Sequence, residues 1–205
     1  MKPGLNLPKS FLLFLLPATA SAGVFNMARF VDAGKYSLGF EPEVVTTDGG
    51  GVAGNLRFTE GVTELNDAFA LVGTGTNVRN FRAGGGFTFD FIPDMDTQPG
   101  FGIGAQAVYY RYKGSSLAPG FGRLETALVP YVHKSFGNGR GNIIEPFLAI
   151  PFGPAFRSGT YDWTAQLSIG AIFHEEYSPV RFIGEFGADL NKSESYISGG
   201  ILYQP

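Results

Sequence analysis

Ten stretches of the chain alternate apolar and polar side chains with a period of two, and the charged residues keep mostly to one phase. Between Tyr161 and His174, seven apolar side chains share one phase, and Ile172 is the only apolar residue in the other. Successive side chains of a β-strand point to opposite faces, so each stretch predicts a strand with one apolar and one polar face. The predicted strands span 35–45, 52–60, 67–74, 81–91, 101–112, 123–134, 143–152, 161–174, 180–190 and 195–203.

The lengths and connections of these strands predict an up-and-down antiparallel meander. Many exceed the roughly 5–6 residues of an average soluble strand and match the roughly 9–11 that a tilted strand needs to cross a bilayer. Short glycine-rich turns such as 48–51 and 137–141 join them. Pro42, Pro130 and Pro146 fall inside predicted strands, where proline removes a ladder hydrogen bond, so we expect bulges there or different strand limits.

Alternation alone fits two architectures. A soluble β-sandwich buries its apolar face, whereas a membrane barrel turns that face to lipid and its polar face to the lumen. Strand length, the even number of strands and aromatic residues near strand ends favour the barrel, all-β and closed, with about ten strands and a range of eight to twelve. Those aromatic residues are Tyr36, Phe81, Phe91, Tyr109, Tyr161, Phe173 and Tyr203.

The first 22 residues have the pattern of a secretory signal peptide. Lys2 and Lys9 are positive, 10–16 is a short apolar run, and 20–22 supplies the small residues Ala-Ser-Ala. We expect cleavage after Ala22, which leaves residues 23–205 as a single β-barrel domain. An intact Met1 in mass spectrometry of the mature protein would contradict this expectation.

Composition narrows the possible functions. The chain has no cysteine, so neither a disulfide framework nor a lipidated cysteine is available. Its formal net charge is −3, and about −5 once Lys2 and Lys9 leave with the signal, which argues against a nucleic-acid partner. No later apolar run is long enough for a membrane helix. We expect no cofactor and no metal site.

The polar phase of the predicted strands would form a charged lumen. Isolated buried charges are very costly, so we expect these side chains to pair across an interior that they largely fill. A narrow aqueous path lined by them is the alternative. The predicted lumen charge network comprises Lys35, Glu41, Glu43, Arg57, Arg82, Asp90, Arg123, Glu125, Glu145, Asp162, Arg181, Glu185 and Asp189.

One motif suggests chemistry. His133 and Ser135 form a His-x-Ser pair on one face of a strand, a spacing that an acyl hydrolase could use and one that is similar to the pair of outer-membrane lipid A deacylases. The small polar residues that usually follow that serine are replaced here by Phe136 and Gly137. We therefore expect a lumen-facing histidine near a turn, and a protein that is not an enzyme.

The C-terminal strand resembles the insertion signal of bacterial outer-membrane barrels. Tyr203 follows Ile197, Gly199 and Ile201 at alternate positions, although Gln204 and Pro205 come after the aromatic residue. Together with the signal and the ten strands, the chain resembles small barrels of the class of Opa-like proteins and the transmembrane domain of outer-membrane protein A. The resemblance implies a monomer in the outer membrane, in contact with its lipid and lipopolysaccharide, inserted by the assembly machinery through this strand. A secreted or periplasmic β-sandwich acting as a binding module is the alternative.

Overall fold

The computed structural model describes residues 31–47, 50–76, 79–114 and 119–205, and the predicted signal peptide lies outside them. This part of the chain contains strands and turns but no helix, and so no helix that could cross a membrane. The strands are β1 (Tyr36–Val45), β2 (Gly51–Thr63), β3 (Asn66–Gly75), β4 (Arg79–Ile92), β5 (Gly100–Tyr112), β6 (Phe121–His133), β7 (Phe136–Gly137), β8 (Asn142–Ala149), β9 (Phe152–Arg157), β10 (Thr160–Glu175), β11 (Val180–Asn191) and β12 (Tyr196–Tyr203).

The strands form one closed antiparallel sheet. Neighbours in sequence pair around the sheet, and β12 pairs back onto β1. A closed sheet has no free edge, so its backbone N–H and C=O groups have partners on both sides of each strand. The predicted fold class, a closed up-and-down β-barrel, is confirmed.

The twelve elements make ten barrel strands. Both β8 and β9 pair with β6 on one side and β10 on the other without a change of register. They are one strand interrupted at Pro151, which has no N–H but whose carbonyl still accepts from the Gln166 N–H at 3.0 Å. Likewise, β7 continues β6 against β8. The predicted strand 143–152 was too short, because three prolines hide the continuation to Arg157.

Pro42, Pro130 and Pro146 lie inside β1, β6 and β8, as predicted. Each carbonyl is used: Pro130 accepts from the Ile150 N–H at 3.0 Å, Pro146 from the Lys134 N–H at 3.1 Å, and Pro42 from the Ser198 hydroxyl at 2.8 Å. None of the three stands at a register shift of its strand; the shifts lie beside Gly61, Arg79, Asp90 and Ala165. The expected bulges at the prolines are therefore absent.

The register fixes the stagger of the barrel. From Phe40, paired residues lead through β2–β6 to Phe156. In the other direction they lead through β12, β11 and β10 to Ile144. These two residues belong to the same barrel strand and are 156 − 144 = 12 positions apart. A ten-stranded barrel with this stagger has strands tilted by roughly 40° from its axis.

The barrel has two ends, the terminal end and the distal end. The terminal end holds the start of β1, the end of β12 and the turns 64–65, 93–99, 134–141 and 176–179. The distal end holds the described parts of the connections 46–50, 76–78 and 113–120 and the turns 158–159 and 192–195.

The apolar phase points outward. Phe40 is 54% exposed, Ile169 48% and Phe186 48%, and 37 large apolar side chains of the described residues are exposed in all. The seven aromatic residues predicted near strand ends are all among them: Tyr36, Phe91, Phe173 and Tyr203 near the terminal end, and Phe81, Tyr109 and Tyr161 near the distal end. The outer wall therefore carries an apolar band with aromatic residues towards both rims.

Candidate functional site: the charged interior

The interior contains a charged network beside a cluster of buried apolar and aromatic side chains. Of the thirteen predicted lumen residues, nine are buried and Arg181 is half-buried. The nine are Glu41, Glu43, Arg57, Arg82, Asp90, Arg123, Glu125, Glu145 and Glu185. Apolar and aromatic side chains such as Leu71, Val108 and Tyr110 share this interior, which is less uniformly polar than the alternation predicts.

Three predicted members lie outside the network. Lys35 is exposed and pairs with Asp32 at 2.9 Å, just before β1 begins. Asp162 pairs with exposed Lys192 at 2.5 Å at the distal rim. Asp189 is exposed and accepts from the Ser193 N–H at 2.8 Å. Their phase is correct, but each lies too close to a strand end to reach the interior.

An arginine–carboxylate cluster lies towards the distal end. Glu43 is fully buried; its Oε2 lies 2.8 Å from Nη2 of Arg82 and its Oε1 lies 3.1 Å from Nη1 of Arg79. Arg79 also pairs with Glu194, and Arg82 donates through Nε to Asn55. Charge-assisted contacts of this kind join β1, β2, β4 and the β11–β12 turn across the lumen.

Beside this cluster, aromatic rings and a second ion pair fill the distal end. Nε of Arg123 lies 2.6 Å from Oε1 of Glu125. The Tyr112 and Phe121 rings stack with centroids 4.7 Å apart, and the Arg157 guanidinium lies 3.4 Å from the centre of the Phe121 ring. Stacked rings capped by a cation leave little room for water at this mouth.

A histidine–carboxylate cluster lies towards the terminal end. His133 Nδ1 is 2.8 Å from Oε1 of Glu145, and its Nε2 is 3.4 Å from Oδ2 of Asp90. The Tyr131 hydroxyl donates to the other oxygen of Asp90 at 2.5 Å. Both ring nitrogens of His133 therefore face carboxylates, while Ser135 is exposed beyond the strand end and donates its N–H to Asp94. Ser135 and His133 are not hydrogen-bonded to each other.

Inward glycines of β5 make room for this cluster. Gly100, Gly102 and Gly104 face His133, Tyr131 and Val129 in register on β6. A Cβ built on Gly102 would lie 2.2 Å from Cζ of Tyr131, and one on Gly100 would lie 2.2 Å from Nε2 of His133. The Gly-x-Gly-x-Gly sequence of β5 thus lets two large rings lie flat against the wall.

Gly102→Ala is expected to lower the free energy of unfolding by about 1–3 kcal/mol, as overpacking of a filled interior does. The added methyl would push the buried Tyr131 ring away and break its hydrogen bond to Asp90. Gly184→Ala is the matched control, because a Cβ on Gly184 meets no atom within 4 Å. Urea unfolding of refolded protein measures both; equal midpoints for the two variants would contradict the packing argument.

At the terminal end, Asp94 links the β4–β5 turn to the connection between β6 and β7. Its Oδ1 lies 2.6 Å from Nζ of Lys134, and its Oδ2 accepts from the Ser135 N–H at 2.8 Å. Partial burial acts to raise the pKa of Asp94, but the hydrogen bonds from Lys134 and Ser135 outweigh it and lower the pKa below the ordinary 3.8. The folded protein therefore favours the ionised carboxylate.

Asp94→Asn should show this linkage as a function of pH. A lowered pKa in the folded state stabilises the fold above the pKa of the unfolded chain, and this contribution disappears as pH falls through the folded value. We expect the variant to be less stable than wild type by up to about 1 kcal/mol at pH 7, and the difference to shrink below pH 4. Asp96→Asn, in the same turn but exposed, serves as control; a difference that persists at pH 2 would contradict the assignment.

Three small voids lie in the interior between the residues described. One of about 30 Å³ lies between β5, β6 and β10 and is lined by Gln106, Glu125 and Gln166, among others. Two of about 10 Å³ lie beside Arg79. Such voids hold on the order of one water molecule each. The side chains themselves therefore fill the barrel where it is described.

A larger groove, of about 680 Å³, lies at the terminal end beside the β7–β8 hairpin. Its lining includes the exposed side chains of Phe136, Ile144, Phe173 and Phe182, which the register places in one row of the outer face. This groove continues the apolar outer wall. Within the described residues, no group of three or more His, Cys, Asp or Glu side chains could hold a metal ion.

Sequence reasoning missed several interior residues, namely Asp67, Arg79, Tyr131, Glu194 and Tyr196. A register shift between Arg79 and Phe81 turns both Arg79 and Arg82 inward, although they have opposite phases. Glu194 comes from a turn that folds over the mouth. Tyr131 could have been predicted, because it lies two residues before His133 in the polar phase of β6.

The protein is a closed ten-stranded β-barrel with apolar side chains on its outer wall and charged side chains buried in its interior. Comparison with protein-family models finds no match for this chain, and comparison with curated proteins finds none either.

Proposed function

We propose that this protein is an integral β-barrel of the outer membrane in a Gram-negative-type envelope, with a structural role and a lumen closed by its own side chains. The observation that carries the proposal is the inversion of the barrel: most phenylalanines of the strands are exposed on the outside, whereas most arginines and glutamates of the strands are buried inside. Water would penalise this arrangement twice, because it exposes apolar surface and buries charge. Lipid removes the first penalty.

The size of the apolar surface supports the same conclusion. Soluble monomers rarely expose contiguous apolar patches larger than a few hundred Å², whereas here outward apolar side chains are present on every one of the ten barrel strands. The soluble β-sandwich alternative requires two sheets packed on an apolar core, and the strands instead close into one sheet. Aromatic residues near both rims lie where interfacial girdles of membrane barrels lie.

Cell fractionation of the full chain, expressed in a Gram-negative host, tests the proposal. We expect the protein in the outer-membrane fraction, extractable only with detergent, and migrating on a gel at different positions before and after boiling. Recovery in the periplasmic or culture-medium fraction as a folded protein would overturn the membrane assignment.

The closed lumen is tested separately in planar bilayers. Because the arginine and histidine clusters fill the interior, we expect no steady unitary currents from the refolded barrel at neutral pH. Steady single-channel currents in protein that is inserted and heat-modifiable would replace the structural role with that of a narrow passive pore, while leaving the membrane assignment intact.

A further inference from the structure

The exposed charges of the barrel are divided unequally between its two ends. Among described residues, the exposed basic side chains at the distal end are Arg111, Lys113, Arg157 and Lys192, against the acids Asp162 and Asp189. The terminal end exposes Asp32, Glu60, Glu64, Asp96, Glu175 and Glu176 against Lys35 and Arg140. The distal end is thus the one suited to an anionic surface.

Two of the distal basic residues, Arg111 and Lys113, have neither a salt bridge nor an aromatic ring contact within the described residues. Lys192 pairs with Asp162, and Arg157 lies over the Phe121 ring. Arg111 is the last outward residue of β5, and exposed Lys113 follows it two positions on, just after the strand ends. Their backbones are therefore no more than about 7 Å apart.

The aromatic residues below these two cations fix their depth. Arg111 pairs in register with Phe81 of β4 and with Gly122 of β6. Tyr109 precedes it on the same face, and a Cβ on Gly122 would lie 2.3 Å from the Tyr109 hydroxyl. The missing side chain at Gly122 therefore lets the Tyr109 ring lie across β6, directly below Arg111. Aromatic girdles mark the boundary of the hydrocarbon, so the two cations lie at head-group level.

We infer that Arg111 and Lys113 bind a phosphate group on the head group of a phosphorylated lipid in the leaflet around the distal end. This inference rests on the proposed membrane function and adds a lipid class, a binding position and an orientation to it. Arginine offers a planar fork that matches two phosphate oxygens, and lysine adds a mobile point charge. Phe81 and Tyr109 would contact the same lipid where its acyl chains begin.

The test uses the full refolded barrel in detergent micelles, with bound lipid counted by native mass spectrometry. The probes are lipid A carrying both phosphates and lipid A with both phosphates removed. We expect the phosphorylated form to bind wild type at least about tenfold more tightly, because only that form offers phosphate oxygens for charge-assisted hydrogen bonds from Arg111 and Lys113.

The Arg111→Gln, Lys113→Gln double variant is expected to lose this preference while remaining heat-modifiable. The matched control, Lys35→Gln with Arg140→Gln, removes two exposed cations from the terminal end and should keep the preference for phosphorylated lipid A. Equal binding of both lipids by wild type, or the same loss in the control, would overturn the inference. So would inorganic phosphate that binds alone and displaces the lipid at equal concentration, because the occupant would then not be a lipid.

These outcomes are distinguishable from failure of the proposed function. A barrel that inserts into bilayers but shows no dependence on lipid phosphate keeps the proposed function and rejects the phosphate site. A protein that never enters a membrane rejects both.

Discussion

Glu43→Ala is expected to lower the free energy of unfolding by about 3–5 kcal/mol, the usual cost of removing one partner from a buried ion pair. Glu43 is fully buried and touches both Arg79 and Arg82. Its loss leaves Arg82 with a hydrogen bond to the neutral amide of Asn55, and leaves Arg79 with Glu194 and the face of the Tyr110 ring. The two voids described beside Arg79, of about 10 Å³ each, have room for about one water molecule apiece, which is too little to resolvate either guanidinium.

Urea unfolding in micelles, followed by the heat-modifiable gel shift, measures the effect. Glu60→Ala is the matched control, because Glu60 is an exposed glutamate on the neighbouring strand, and we expect a change within about 0.5 kcal/mol. Combining Glu43→Ala with Arg82→Ala should cost less than the sum of the single changes, since the second removes the charge that the first leaves unpaired. Strict additivity would show that the two side chains do not interact.

Ile169→Arg is expected to destabilise the inserted barrel by about 2–4 kcal/mol, the cost of arginine on the lipid face near the bilayer midplane. Ile169 is 48% exposed near the middle of β10, in an outward row with Leu148 and Phe186. The same change on a water-exposed strand would alter stability by no more than about 0.5 kcal/mol. This substitution therefore reports which solvent surrounds the barrel.

The matched control is Val62→Arg. Val62 is 57% exposed but lies at the terminal rim of β2, where an arginine should cost no more than about 1 kcal/mol. Unfolding in phospholipid vesicles compares the two variants with wild type. Equal, negligible effects at both positions would mean that water covers the outer wall, and the membrane proposal would fail.

The order of the strands and the face on which most charges lie were predictable from sequence because a strand repeats every two residues. Nine of the thirteen predicted lumen residues are buried for this reason. The same rule carries no information on depth along the barrel axis. Lys35, Asp162 and Asp189 have the inward phase, yet their positions near strand ends leave Lys35 and Asp189 exposed and Asp162 only half-buried.

Irregular backbone accounts for the remaining differences. One register shift brings Arg79 into the interior, and a turn folds Glu194 back over the mouth to meet it. A strict period of two residues predicts neither the register shift nor the turn, because both interrupt the alternation. In the sequence, the prolines of β8 and β9 indicate the end of a strand. In the structure, the pairing of both strands with β6 and β10 continues across Pro151.

By itself, the sequence determined that this protein is a sheet of about ten amphipathic strands, because side-chain alternation is a local property of an extended chain. Tertiary structure alone decided that the sheet closes, that its charged face lies inside, and which charges meet there. Those outcomes depend on pairing between residues as distant as Leu38 and Tyr203, and on the 12-residue stagger that brings side chains from different strands to the same depth.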